Sequence, residues 1–192
     1  MKINEISYTI QGEGHRVGTP SIFIRLSGCN QTCGYCDSEF ESGVTMSVEE
    51  LHEKIKQYPC KETVWTGGEP GLQLTSEIIQ YFKDNEYFNC IETNGSVKVP
   101  DNLDFICISP KVAEHVVEKN FRDIVVDELK YVWHTGKMGL PVPLVQADHY
   151  FLSPEFKGDQ IDRKNLDYCI ELCKSNPKWR LSVQTHKIWR IS

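Results

Sequence analysis

The sequence has no apolar run approaching the roughly 20 residues that a membrane span needs. Met1 to Ile10 holds no long apolar stretch, so a secretory leader is not expected and the chain is read as cytoplasmic. Basic residues do not predominate. Lys and Arg number 21 against 27 Asp and Glu, a net charge of -6. That argues against bulk nucleic-acid binding through phosphate neutralisation, though a local basic pocket remains open. No repeat, linker or low-complexity tract interrupts the 192 residues. They suffice for one sizeable core and are short for two, so a single domain over 1–192 is expected.

What the chain does have is eight cysteines. Either they form a disulfide framework, or they stay reduced and use thiolates for a metal. A chain of this size, with no leader expected, does not need staples, so spacing has to decide.

The local patterns read as strand, polar loop, helix, strand, repeated. Strands are expected over 3–10, 21–26, 63–65, 87–91, 103–108, 127–132, 149–152 and 179–183. Helices are expected over 47–58, 75–83 and 163–174. The first carries a capping box, with Ser47 at the N-cap and Glu50 three residues on. The stretch 112–127 is charged and poorly patterned, and reads as a loop or a short helix. Such alternation implies parallel strands with crossover helices, an α/β fold. A complete eight-unit barrel takes roughly 250 residues, so a partial, open barrel of reduced size is expected. Polar motifs recur where strands end, and ligands bind at that face of such folds.

Cys29, Cys33 and Cys36 form a C-x3-C-x2-C set in a stretch that Gly28, Gly34 and Asn30-Gln31-Thr32 mark as a loop. Three thiolates fall one short of a closed zinc site, and one short of a fully ligated cubane. An iron left open can chelate S-adenosylmethionine. Spacing alone leaves open a zinc knuckle completed by Cys60, Cys90 or a histidine. Thr66-Gly67-Gly68-Glu69-Pro70 follows a buried strand, and its two glycines allow backbone to approach a ligand closely.

Taken with the triplet, this turn resembles the radical S-adenosylmethionine superfamily. Within it, the chain resembles the 7-carboxy-7-deazaguanine synthase family from end to end. The matching segments include Gln11-Gly12-Glu13-Gly14, Ile22 to Leu26, Gly28 to Ser38, Ile91 to Gly95, Ser109-Pro110-Lys111, Glu128-Leu129-Lys130 and Leu181 to Lys187. The resemblance implies a radical S-adenosylmethionine type of partial (β/α) barrel, with a [4Fe-4S] cluster, S-adenosylmethionine and Mg²⁺. It implies conversion of 6-carboxy-5,6,7,8-tetrahydropterin to 7-carboxy-7-deazaguanine, by hydrogen abstraction at C6, ring contraction and loss of ammonia. It also implies a homodimer, a reducing protein such as a flavodoxin or ferredoxin, and no membrane or direct nucleic-acid partner. A glycyl-radical-enzyme activase shares the triplet and the Gly-Gly-Glu-Pro turn, but not the Gln11 to Gly14 loop or the Gln184-Thr185-His186 tail.

The same resemblance assigns residues. Cys29, Cys33 and Cys36 hold iron. Tyr35, Cys36, Asp37, Gly68, Glu69, Gly95, Ser109, Pro110, Lys111, Ser153, Pro154, Glu155 and Phe156 surround S-adenosylmethionine. Ile10, Gln11, Gly12, Glu13, Arg25, Thr93, Gln184, His186 and the Ser192 carboxylate face the substrate, with Arg25 and His186 as catalytic candidates. Arg25 stands in an otherwise apolar strand, so it either meets the substrate or pairs with an acid such as Glu13. Ser38 replaces the family's usual threonine and keeps the hydroxyl that would ligate Mg²⁺. Three further departures are Ser153 in place of glutamine, Gly71-Leu72 after the Gly-Gly-Glu-Pro turn, and the tail Ile188 to Ile191.

Overall fold

In the computed structural model, residues 1–34, 36 and 39–191 are described. Tyr35, Asp37, Ser38 and Ser192 lie outside the described residues, so the roles expected of them are not located. The strands are β1 (Lys2–Ile10), β2 (Pro20–Leu26), β3 (Val44–Thr45), β4 (Glu62–Gly67), β5 (Phe88–Thr93) and β6 (Phe105–Ile108). They continue with β7 (Val126–Trp133), β8 (Ala147–Pro154), β9 (Phe156–Lys157), β10 (Gln160–Ile161) and β11 (Trp179–Leu181). The helices are α1 (Val48–Ile55), α2 (Ser76–Asp84), α3 (Glu114–Phe121), α4 (Arg163–Ser175) and α5 (Thr185–Trp189).

Nine strands form one sheet in the order β11-β8-β7-β6-β5-β4-β2-β1-β3. From β2 to β11 all neighbours are parallel. The two edges are not paired to each other, so the barrel is partial and open. Two edge strands depart from the all-parallel expectation: β1 runs antiparallel to both β2 and β3. The connection over 11–19 is too short for a crossover helix, so β1 and β2 can only form a hairpin.

Inward and outward residues alternate along each strand. Ile22, Ile24 and Leu26 of β2 join Leu51, Ile79, Phe82, Val117 and Cys169 of the helices in the large outer core. Phe23 points the other way and meets Val64, Cys90, Phe105 and Cys107 in a smaller inner cluster. Fully burying a side chain such as Phe82 or Trp65 contributes roughly 1.5–3 kcal/mol. Their rings meet edge to face at 5.2 Å.

The capping box of α1 is present: Glu50 N donates to Ser47 Oγ, and Ser47 N donates to Glu50 Oε2. Thr75 and Asp162 cap α2 and α4. The stretch 112–127 contains the short helix α3. The sequence reading missed α5, whose five residues are too few to show helical periodicity, and the β9–β10 hairpin, whose strands have two residues each. The segments joining β5 to β6 and β7 to β8 hold no helix, which is how so short a chain completes its sheet.

Candidate active site

The site begins where β2 and β4 end. Gly68 N donates to Leu26 O and Glu69 N to Gly28 O, both at 2.9 Å. The Gly-Gly-Glu-Pro turn is thereby zipped to the start of the cysteine loop. A methyl group on Gly68 would collide with the Gly28 carbonyl, so only glycine fits this approach.

Cys29, Cys33 and Cys36 are free thiols lining one cavity of about 570 Å³. Burial pushes the Cys33 thiol up; Lys111 opposes it, and Cys36 and Cys29 add to the rise. The three sulfurs therefore sit within reach of each other's charge. Among the described residues, no three His, Cys, Asp or Glu side chains gather around a single metal ion. A cubane asks for something else, since each thiolate binds its own iron. Three thiols around one open cavity fit that demand. Cys90 lies in the inner apolar cluster and Cys60 against Pro20 O, so neither completes the triplet. Cys169, on α4, is buried in the outer core.

The same cavity is lined by Gly68, Ser109, Lys111, Ser153, Pro154, Glu155 and Phe156. Lys111 Nζ donates to Ser109 Oγ at 2.6 Å. Burial lowers the Lys111 pKa, and nearby Lys130 lowers it further. Pro110 sits between Ser109 and Lys111 without lining the cavity itself.

Three expected ligand contacts turn inward instead. The Glu69 carboxylate is fully buried and accepts from Gly71 N, Thr93 Oγ1 and Asn94 N at 2.8–2.9 Å. Burial raises its pKa against those hydrogen bonds. It braces the ends of β4 and β5 and leaves the cavity wall to Gly68. Thr93 lines the cysteine cavity rather than the substrate side, and its hydroxyl serves Glu69 and Gly95 N. Gly95 is packed behind the strand ends against Ile108 and Val117, with φ of 80°.

Ile10, Gln11, Gly12, Glu13, Arg25, Gln184 and His186 line a second cavity of about 930 Å³. Glu13, Thr66, Glu92, Gln184 and Lys187 belong to both cavities, so the two adjoin. The loop after β1 and the C-terminal tail build this side together. Thr185 N and Oγ1 donate to Gly12 O at 3.0 and 2.7 Å. Gln184 Nε2 donates to Glu13 Oε1 at 3.1 Å, and Gly14 N to Ser182 Oγ at 2.9 Å. A side chain on Gly12 would strike the His186 ring.

Arg25 lines the cavity and pairs with Glu5, Nε to Oε2 at 3.0 Å. Glu13 is not its partner; Lys130 is there instead, with Nζ 3.1 Å from Glu13 Oε2. Gln11 is largely spent on the protein: its Oε1 accepts Glu13 N, and its Nε2 donates to Glu92 Oε1 at 2.9 Å.

Lys130 and Glu128 were not assigned roles from the sequence. Glu128 accepts His15 N at 2.7 Å and the Cys107 thiol at 3.3 Å, anchoring the loop that Lys130 holds through Glu13. The available signal was two opposite charges at i and i+2 in the apolar run Val126–Trp133, hence on one strand face. Asn94 was also missed; its Nδ2 reaches Asn30 Oδ1 and lies 4.0 Å from Cys29 Sγ.

Comparison with known proteins gives a consistent result. The Radical SAM superfamily profile matches residues 23–117. A 7-carboxy-7-deazaguanine synthase of Bacteroides thetaiotaomicron is 36% identical over 97% of this chain and 96% of that protein. One from Haemophilus influenzae is also 36% identical, over 97% and 92%. The crystal structure of QueE from Escherichia coli superposes with a TM-score of 0.76 at 26% identity, covering 96% of this chain and 94% of that one. The chain belongs to the 7-carboxy-7-deazaguanine synthase family of the Radical SAM superfamily.

Proposed function

We propose that this protein is a 7-carboxy-7-deazaguanine synthase, converting 6-carboxy-5,6,7,8-tetrahydropterin to 7-carboxy-7-deazaguanine and ammonia. The observation that carries this reading is the shared wall. A thiol-lined cavity adjoins a cavity built from the Gln11 to Glu13 loop, Arg25 and His186. Near full-length relatives bear the synthase name, which does not favour a glycyl-radical-enzyme activase.

When bound, the [4Fe-4S] cluster and S-adenosylmethionine supply the one-electron chemistry that removes hydrogen from C6. Cys29, Cys33 and Cys36 hold the cluster. The Gly68 backbone, Ser109, Lys111 and the segment Ser153 to Phe156 form the wall against S-adenosylmethionine. Gly95 and Glu69 support that wall from behind. Ser38, with Tyr35 and Asp37 beside it in sequence, keeps a hard oxygen for Mg²⁺.

On the other side, Arg25 donates to the pterin carboxylate or carbonyl. Ile10, Gly12 and Gln184 shape the slot. His186, packed over Gly12, moves a proton after hydrogen leaves C6. One domain over 1–192 does this work, as a cytoplasmic homodimer reduced by a flavodoxin or ferredoxin. No helix among the described residues is long and apolar enough to cross a membrane.

The test is anaerobic reconstitution followed by incubation with carboxytetrahydropterin, S-adenosylmethionine, Mg²⁺ and reductant. The deazaguanine product, with ammonia in equal amount, is expected. Its absence from protein carrying about four irons and four sulfides per chain would overturn the reading.

A further inference from the structure

Lys130 is an ammonium only 5% exposed, set between two carboxylates. Its Nζ lies 3.1 Å from Glu13 Oε2 and 3.8 Å from Glu92 Oε1. A buried lysine with no partner would lose its proton; here the opposite holds. Burial works to lower its pKa, and Glu13, Glu92, Cys107 and Glu128 together raise it well above the ordinary value. Burial likewise works to raise the Glu13 pKa, but Lys130 and the Gln184 amide outweigh it. Lys111, from the loop after β6, and His186, from α5, are further charged or titratable neighbours, through Lys130 and Glu13 respectively, and Lys187 lines both cavities with the two carboxylates.

The two carboxylates are not equally free. Both Glu13 oxygens are engaged, Oε1 by Gln184 and Oε2 by Lys130. Among the described residues, Glu92 is engaged only through Oε1, by Gln11 and Lys130. Its side chain is 27% exposed and lines both cavities. Gln11 is oriented by Glu13 N on its other end, so it cannot turn away from Glu92.

We infer that Lys130 is a positioning residue: it ties Glu92 to Glu13 across one ammonium, so that Glu92 Oε2 accepts an N–H of an amidine-type ring edge. That edge is the 2-amino-pyrimidinone half of a pterin, so the inference rests on the proposed function and deepens it. A carboxylate oxygen is a matching acceptor because this edge offers N–H donors.

The test uses two stable, unreactive probes, 6-carboxypterin and 6-carboxylumazine, which differ only in the 2-amino group. Equilibrium binding is measured from about pH 5.5 to about pH 7.5, on either side of the neutral range. The wild type is expected to prefer the pterin by about tenfold or more, the size of a hydrogen bond to a charged group, with little change across this range. In Lys130→Met the ammonium that positions Glu92 is gone, so pterin preference falls by a similar factor. Lys130→Arg restores the preference. S-adenosylmethionine binding and the melting midpoint report whether each variant folds. If Lys130→Met does not fold, the double variant Lys130→Met with Glu13→Gln removes the stranded charge but still lacks the ammonium that positions Glu92, and is expected to lose the preference too. An unchanged preference in either folded variant, or equal loss for both probes, overturns the inference. Wild-type turnover of carboxytetrahydropterin is scored separately, so failure of the proposed reaction is distinguishable from failure of this role.

Discussion

Lys130 Nζ stands 3.1 Å from Glu13 Oε2, joining the middle of β7 to the loop after β1 inside the open barrel. This contact fixes the loop that separates the two cavities. It also ties folding to pH. Burial pushes Glu13 up, but Lys130, with the Gln184 amide, brings it down to about 2 from an ordinary 4.5.

The first prediction follows from that depression. The unfolded chain binds the Glu13 proton more readily than the folded one. The stabilisation is complete above the ordinary pKa of 4.5 and is lost as pH falls toward about 2. Denaturant midpoints of the apoprotein should therefore fall across this window, and Glu13→Gln should flatten the fall. Equal slopes for the two proteins would show that Glu13 is not responsible.

A second prediction separates chemistry from folding. Cys29, Cys33 and Cys36 lie on a loop outside both apolar clusters. Replacing any one with alanine should abolish activity and strip iron while leaving the melting midpoint of the apoprotein within a few degrees. Cys173→Ala, on α4, should keep its iron. Iron and sulfide analysis after anaerobic reconstitution decides this.

Gly14 has φ of 69°, and a methyl there would collide with the Glu128 carboxylate. Gly14→Ala should cost about 1–2 kcal/mol from the left-handed backbone alone, and more from the displaced carboxylate. The expected result is a clear drop in denaturant midpoint. A loss below about 0.5 kcal/mol would mean the loop rebuilds elsewhere.

Arg25 pairs with Glu5 at the cavity wall, on a side chain 29% exposed. Arg25→Ala should weaken binding of 6-carboxypterin by about tenfold or more and S-adenosylmethionine by much less. Titration of both ligands checks the asymmetry. Equal losses would assign Arg25 to structure.

Much of the fold was legible because strand and helix signals are local. The β formers over 21–26 and the capping box at Ser47 both act within a few residues. The antiparallel β1 was missed although its signal was there, in a connection over 11–19 too short for a crossover helix. The site was legible where backbone geometry restricts residue type, as at Gly68 against the Gly28 carbonyl.

By itself the sequence determined the thiol triplet, the glycine turn, the alternation of elements and the family resemblance, because each depends on residue type and short spacing. Only the tertiary structure decided the partners. It gave Glu13 to Lys130 and Arg25 to Glu5, turned the Glu69 carboxylate into the protein, and left Glu92 facing both cavities. A buried charge takes whichever opposite charge or donor the packed chain brings within about 4 Å, and no local pattern encodes that distance.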